Sequence, residues 1–433
     1  MAYPAYRATL ASGFPQPHMI LSNTSCSKDS TTIMMPEQHD LEIDNELQGQ
    51  IFPNVKPKSL TPLLQTWTKC ICVAHFDGPQ AEFVQASKVV VRVEDGDLQQ
   101  FEEIAALQHL GSLAAPHLVP ATFRVGTGLS QGGKKLAFSI TAYVEGVVLT
   151  EVYDSLGAEQ REAIMDESVV AVKSFYNIRL SDEEFIQAHG GVLSKKFQAN
   201  LESSHPRIGG PRWGYFHDAR SFLESVVKRL ETWDSRVVFK KTEDGGVLVE
   251  PAHSSLKHLQ AVYISQSQLL EIESGAVMSF MDLEPRNIMV SEKQGDHGAY
   301  EVAGIIDWEM AGFFPLGFEQ IFKDSQCGCA NAYFDWYRMF RDRTNDLVSS
   351  RDGLATAALF EVMDMARQSY LAQERRNFGL LYTRKWIEEE ALVLDGTNGW
   401  IREPGTFEAE PWSEKKHKLL EAQVATELGL PWS

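Results

Sequence analysis

The chain has 433 residues, 43% of them hydrophobic, and carries 59 acidic against 40 basic side chains for a formal charge of −19. That length can bury a large core and divides naturally into two lobes. The acidic balance excludes nucleic acid as an expected partner, because phosphates would be repelled over most of the surface. No run approaches the ~18 consecutive apolar residues of a membrane helix, and Met1 to Pro17 lacks a signal-peptide core, so a soluble, cytoplasmic protein is expected.

Residues 1–55 combine Ser/Thr clusters, scattered prolines and an acidic run (Glu37, Asp40, Glu42, Asp44, Glu46). This composition predicts a loosely ordered extension with room for a short helix at its end. From Lys69 the texture is β-type: Cys70–Ala74 and Lys88–Val93 read as strands, separated by a turn at Asp77-Gly78-Pro79. Residues 97–110 carry helical apolar spacing with Asp97 near the cap. Two further strands, Ala121–Val125 and Lys135–Val144, are joined by a glycine-rich turn. Residues 56–145 therefore read as a small antiparallel sheet carrying one helix, and 146–433 as a mostly helical lobe, with helices expected over Glu159–Tyr176, Ala219–Thr232 and Ala355–Glu374. Of the five cysteines, Cys70/Cys72 and Cys327/Cys329 form C-x-C pairs. That spacing does not suit structural zinc, and reduced, partly buried thiols are expected.

Several short motifs invite a functional reading that a plainer one answers. Gly128-Leu129-Ser130-Gln131-Gly132 has the form of a nucleophile elbow, but it leads into a strand instead of a helix and reads as a hairpin tip. His217-Asp218 could line a pocket, whereas Asp218 also suits the cap of the helix that follows. Glu388-Glu389-Glu390 reads as an exposed helix face rather than an amine trap, and Trp386 and Trp400 as core aromatics.

Chemistry concentrates between residues 282 and 307. Asp282-Leu283-Glu284-Pro285-Arg286-Asn287 places an amide five residues after a carboxylate, and Asp307 closes the apolar strand ending Ile305-Ile306. The first Asp can orient a hydroxyl and take its proton. The Asn and the second Asp are hard oxygen donors of the kind Mg²⁺ requires when it bridges nucleotide phosphates. Asp and Asn that merely cap turns would account for the loop, but such a turn does not require the second carboxylate.

With Gly304-Ile305-Ile306-Asp307-Trp308-Glu309, the segment Asp282–Val290 resembles the signature of the aminoglycoside phosphotransferase/choline kinase family, His-Gly-Asp-Leu-x-Pro-x-Asn-Ile followed by Ile-Asp-Trp/Phe-Glu. Continuation through Ala311-Gly312-Phe313-Phe314-Pro315 and Phe318-Glu319 is similar to fungal members in particular. The resemblance covers roughly residues 65–345. It implies an α+β, protein-kinase-like bilobal fold with a small antiparallel-sheet N-lobe and a mostly helical C-lobe. It implies ATP and Mg²⁺ as cofactors, Asp282 as catalytic base, and Asn287 and Asp307 as metal ligands.

The first lobe should then supply a cation to the α/β-phosphates, braced by a helix carboxylate. Arg92 with Glu103 fits best, since Glu103-Ile104-Ala105-Ala106-Leu107 resembles the family's Glu-Val-Ala-Thr-Leu, and Lys88 on the same strand face is the rival. Asp77-Gly78-Pro79-Gln80 occupies the expected phosphate-loop hairpin with a single glycine, and Tyr143 and Val144 lie in the connector whose backbone would pair with adenine. Where the family has His-Gly, this chain has Phe280-Met281. The expected activity is transfer of the γ-phosphoryl of ATP to a hydroxyl of a small molecule, an amine-bearing one being compatible with the acidic charge. The alternative is a catalytically weak or inactive kinase-like binding module.

Overall fold

The computed structural model describes residues 40–95, 98–179, 208–230, 237–295, 298–325, 333–349, 354–371, 377–395, 399–405 and 413–430. Two units emerge: one runs to Ala105 and resumes over Ala121–Tyr143, the other takes Ala106–Pro120 and everything from Val144.

In the first unit, helix α1 (Asn45–Ile51) starts where Asp44 Oδ1 accepts from the Leu47 N–H at 2.9 Å. Strands β1 (Ser59–Gln65), β2 (Lys69–Gln80) and β3 (Ala86–Glu94) lead to helix α2 (Leu98–Ala114), which from Ala106 onward belongs to the second unit, followed by β4 (Thr122–Leu129) and β5 (Lys135–Ala142). The strands form one antiparallel sheet in the order β1-β2-β3-β5-β4.

Strand alternation sorts the β3 side chains into two sets. Val89, Val91 and Val93 are fully buried against Cys70, Cys72, Leu136, Phe138 and Ile140, and α1 closes this layer with Leu47 and Ile51. Each such buried aliphatic contributes roughly 1.5–3 kcal/mol. The end of the segment expected to be a loose extension is thus part of this core. Lys88, Val90 and Arg92 project from the opposite face. The Cys70 and Cys72 sulfurs lie 3.5 Å apart within the core, whereas Cys327 and Cys329 fall outside the described residues, as does Asp97.

One local expectation fails. Asp77-Gly78-Pro79-Gln80 is not the chain reversal, because β2 runs through it. The chain turns at 81–85, where a 3₁₀ turn (Ala81–Phe83) is followed by Val84 and Gln85 in the left-handed region.

The second unit contains β6 (Val147–Val148), α3 (Leu149–Val152), α4 (Ala158–Phe175), β7 (Ile208–Gly210), β8 (Gly214–Phe216), α5 (Ala219–Leu230), β9 (Val237–Lys241), β10 (Val247–Pro251), β11 (Val262–Ile264) and α6 (Gln266–Ser274). It continues with β12 (Ala276–Ser279), β13 (Ile288–Glu292), β14 (Tyr300–Ile305), β15 (Gly312–Pro315), α7 (Phe318–Ser325), α8 (Phe334–Ser349), α9 (Leu354–Leu371), α10 (Phe378–Glu389), β16 (Leu392–Asp395), β17 (Gly399–Arg402) and α11 (Glu414–Leu428). The architecture is the mixed α+β one expected, with more strand in this unit than the sequence suggests. Small sheets run β11-β10-β9, β12-β15-β7-β8, β14-β13-β6 and β16-β17. Strands of two to six residues are too short for alternation to mark them. Among the described residues, no helix is long and apolar enough to cross a membrane.

Candidate active site

Two antiparallel pairings bring the motif together. β12 pairs with β15, Ser279 opposite Gly312, so the loop leaving β12 and the loop entering β15 emerge at one end. β13 pairs with β14, Ile288 opposite Ile305, and the Ile306 N–H donates to the Asn287 carbonyl at 2.9 Å. Asp307 follows at once.

Between β12 and β13, a 3₁₀ turn over Pro285–Asn287 folds the loop back on Asp282. Asn287 Nδ2 donates to the Asp282 carbonyl at 2.9 Å and to its Oδ2 at 2.7 Å. Arg286 Nη2 donates to Asp282 Oδ1 at 2.6 Å. Asn287 is buried. The structure therefore joins Asp282 and Asn287 directly and sets Asp307 beside them at the hairpin end. Asp307 has φ 61° and ψ 68°, a left-handed conformation in which Asp is among the better tolerated residues.

Packing beneath the loop holds this arrangement. Phe280 is fully buried and meets Trp308 edge-on, with centroids 5.1 Å apart. An aromatic contact thus ties the loop of Asp282 to the turn after Asp307, in the place where the related signature has a histidine. Trp308 Nε1 donates to the Ile305 carbonyl at 2.9 Å, and its ring also packs on Phe175. Met281 stands where that signature has glycine, and its φ of 72° explains why glycine suits the position. The Leu283 carbonyl accepts from Lys323 Nζ and from Trp336 Nε1, both at 2.9 Å, while Lys323 also pairs with Glu284.

Burial and charge act on the carboxylates around the loop. Burial pushes the Glu319 carboxyl up to about 7, against the lowering effects of the Tyr176 hydroxyl at 3.0 Å, Lys323 and the Met281 backbone N–H. Burial likewise raises Glu284, with Lys323 and Arg286 pulling the other way. Burial works to lower the Arg286 guanidinium, but Asp282, Glu284 and Asp307 outweigh it and raise it further.

In the first unit, Arg92 Nε donates to Glu94 Oε1 at 2.6 Å, and its guanidinium lies 5.7 Å from the Phe101 ring centroid of α2. Glu103, two residues along that helix, is buried. The rival Lys88 places its Nζ 4.9 Å from the centroid of the Tyr143 ring. Of the two cations, Arg92 is the one beside the helix that carries Glu103. Tyr143 and Val144 sit in irregular chain after β5, where the two units divide.

The remaining candidates resolve locally. Asp218 Oδ1 accepts from the Ser221 N–H at 2.6 Å, so it caps α5. Ser130 sits in the β4–β5 hairpin tip, its N–H donating to the Lys134 carbonyl. Glu390 is buried and paired with Arg402 at 2.5 Å, so the acidic triplet is not simply an exposed helix face.

Residues 82–322 match the model of the Phosphotransferase enzyme family, which is more than half of the chain. The protein belongs to this family. A comparison with curated proteins found no match. Among solved structures, this phosphotransferase family member is similar to the GDP complex of wild-type aminoglycoside 2'-phosphotransferase-IIIa, at 12% identity and TM-score 0.39, over 80% of this chain and 98% of that one. It is similar also to the streptomycin–ATP–APH(2")-IIa ternary complex, at 11% identity and TM-score 0.37, over 76% and 99%. A third is spectinomycin phosphotransferase APH(9)-Ia with ADP and spectinomycin, at 10% identity and TM-score 0.31, over 76% and 94%.

The donor set of this phosphotransferase suits a hard divalent cation. Asn287 uses its Nδ2 on Asp282, which turns its Oδ1 the other way, and Asp307 adds a carboxylate. Two such oxygens would leave most of an octahedral Mg²⁺ shell to water and phosphate, the usual arrangement for that ion. Sequence reasoning passed over Arg286, Glu319, Lys323 and Trp308 as working parts of the loop. Trp308 and Glu319 lay within the family signature without a stated task, and the spacing of Arg286, four residues after Asp282, carried a signal of its own, since on a tight turn it returns the guanidinium to the carboxylate.

Proposed function

We propose that this phosphotransferase moves the γ-phosphoryl group of ATP to a hydroxyl of a small molecule. The carrying observation is the tie from Asn287 to Asp282 at 2.7 Å, with Asp307 delivered to the same hairpin end by the β13–β14 register. Asp282 orients the acceptor hydroxyl and takes its proton as the new O–P bond forms and the bond to the departing ADP breaks. Asn287 and Asp307 would hold Mg²⁺, which when bound neutralises charge on the phosphates. Asn287 also fixes the Asp282 carboxylate through Oδ2, so one group both aims the base and faces the metal. In the first unit, Arg92 supplies a cation to the α/β-phosphates, with Glu103 as its helix carboxylate, while the Tyr143 and Val144 backbone pairs with adenine. Acceleration then comes mainly from positioning and fixed charge.

Thermal unfolding with ADP, in the presence and absence of Mg²⁺, tests the assignment. Ligand that binds only the folded state stabilises it by RT ln(1 + [L]/Kd). A Mg²⁺-dependent rise in Tm is expected for the wild type and should vanish in Asp307→Ala. A rise of equal size in that variant refutes the metal assignment.

One observation favours a second reading, the kinase-like binding module. Both Asp282 oxygens are already engaged, one by Arg286 and one by Asn287. Each retains lone-pair capacity for an incoming hydroxyl, so the observation weakens catalysis without excluding it. A screen of ATP consumption over amino alcohols and amino sugars separates the two. Mg²⁺-dependent ADP binding with no consumption above background across the screen favours the module.

A further inference from the structure

Arg286 is a cation inside the catalytic loop that the phosphoryl-transfer reading leaves without a task. Its side chain is 31% exposed and that of Asp282 17%, so their contact at 2.6 Å is only partly open to water. Asn287, next along the turn, donates to the same carboxylate, and the Ile306 N–H, one residue before Asp307, donates to the Asn287 carbonyl at 2.9 Å, so the turn that carries Arg286 adjoins Asp307. Glu284 already has Lys323 as a buried partner. Of these two cations, Arg286 is the one in contact with Asp282.

We propose that Arg286 is the built-in counter-cation of this site. It holds the Asp282 and Asp307 carboxylates near each other before nucleotide arrives, and it makes divalent-metal binding conditional on the nucleotide's phosphates. The inference rests on the reading that Asn287 and Asp307 take the metal. Neighbouring carboxylates repel one another, and a guanidinium in contact with one of them relieves that cost. The same fixed positive charge repels a divalent ion, more strongly at partly buried separations than in bulk water. Phosphates bring enough negative charge to reverse the balance, so metal and nucleotide enter as one unit. Loss of Arg286 leaves the carboxylates under-neutralised and turns them into a cation trap.

Mn²⁺ serves as the probe, its affinity read by electron paramagnetic resonance with and without ADP and corrected for free Mn·ADP. The wild type should bind Mn²⁺ at least about tenfold more tightly with ADP than without it. Arg286→Gln should tighten nucleotide-free Mn²⁺ binding by about tenfold and shrink the ADP effect. Arg286→Lys keeps the charge and should behave like the wild type, which separates charge from side-chain shape. Wild-type binding that is equally tight with and without ADP overturns the proposal, and that arm needs no variant to fold. Unchanged or weakened nucleotide-free binding in Arg286→Gln also overturns it, since a purely structural brace predicts such a result. A wild type that binds no Mn²⁺ even with ADP sinks the phosphotransfer reading itself, and the counter-cation role with it.

Discussion

Met281 shows how opposing terms settle at one residue. Its left-handed backbone, φ 72°, costs a non-glycine residue about 1–2 kcal/mol. Its side chain is 1% exposed, and truncating a buried methionine costs about 2–5 kcal/mol. Burial wins, so methionine persists at a position whose backbone suits glycine. Met281→Gly should therefore lower stability by up to about 4 kcal/mol, the remainder of those two ranges, measured as a fall in the urea midpoint. A rise would show that strain dominates. Asp282→Asn, which keeps the contact from Arg286 while removing the base, should cut any transfer activity by about 100-fold or more. The Mg²⁺-dependent thermal shift with ADP should remain in that variant.

At the scale of elements, the site depends on contacts that join its loops to helices. A Cβ added at Gly111 of α2 would lie 2.4 Å from Trp308 Cη2. That ring is held by Phe280 on one side and Phe175 on another, so it cannot swing away. Gly111→Ala should cost about 1–3 kcal/mol by overpacking and displace the turn that carries Asp307. The expected reading is a lowered Tm together with weakened Mg²⁺-dependent ADP stabilisation. Lys323 of α7 does comparable work from below, through the Leu283 carbonyl and Glu284. Lys323→Met should cost about 3–5 kcal/mol, because it strands a buried carboxylate. Adding Glu284→Leu should recover much of that loss if the stranded charge is the cause. Such contacts were not legible in the sequence. The Asp282–Asn287 loop was, because five residues on a proline-stiffened turn can meet in only a few ways. Lys323 and Trp336 meet that loop, and Gly111 meets Trp308, only through folding, and their types are equally at home in an ordinary helix.

At the scale of the whole molecule, stability should carry a pH signature from Glu319. Its folded carboxyl holds a proton up to about 7, whereas an unfolded glutamate releases it near about 4.3. A raised folded value means the stabilising contribution is complete below about 4.3 and is lost as pH rises through about 7. Glu319→Gln keeps an acceptor for Tyr176 but cannot titrate. The stability of the wild type minus that of the variant should thus fall by a few kcal/mol between pH ~4.3 and ~7, followed by urea midpoints across that range. A flat difference would show that water reaches this carboxylate.

The sequence by itself determined the α+β class of the fold and the order and spacing of Asp282, Asn287 and Asp307. These follow from alternation, helical spacing and short-range loop geometry, which act within a few residues. Only the tertiary structure decided that the first chain reversal falls at 81–85, that α1 completes the core of the first unit, that Glu390 is buried with Arg402, and that Phe280 meets Trp308. It also decided that the Arg286 guanidinium contacts Asp282. Each of the others depends on which surfaces meet across long stretches of chain, and a burial partner many residues away leaves no periodic trace in either segment.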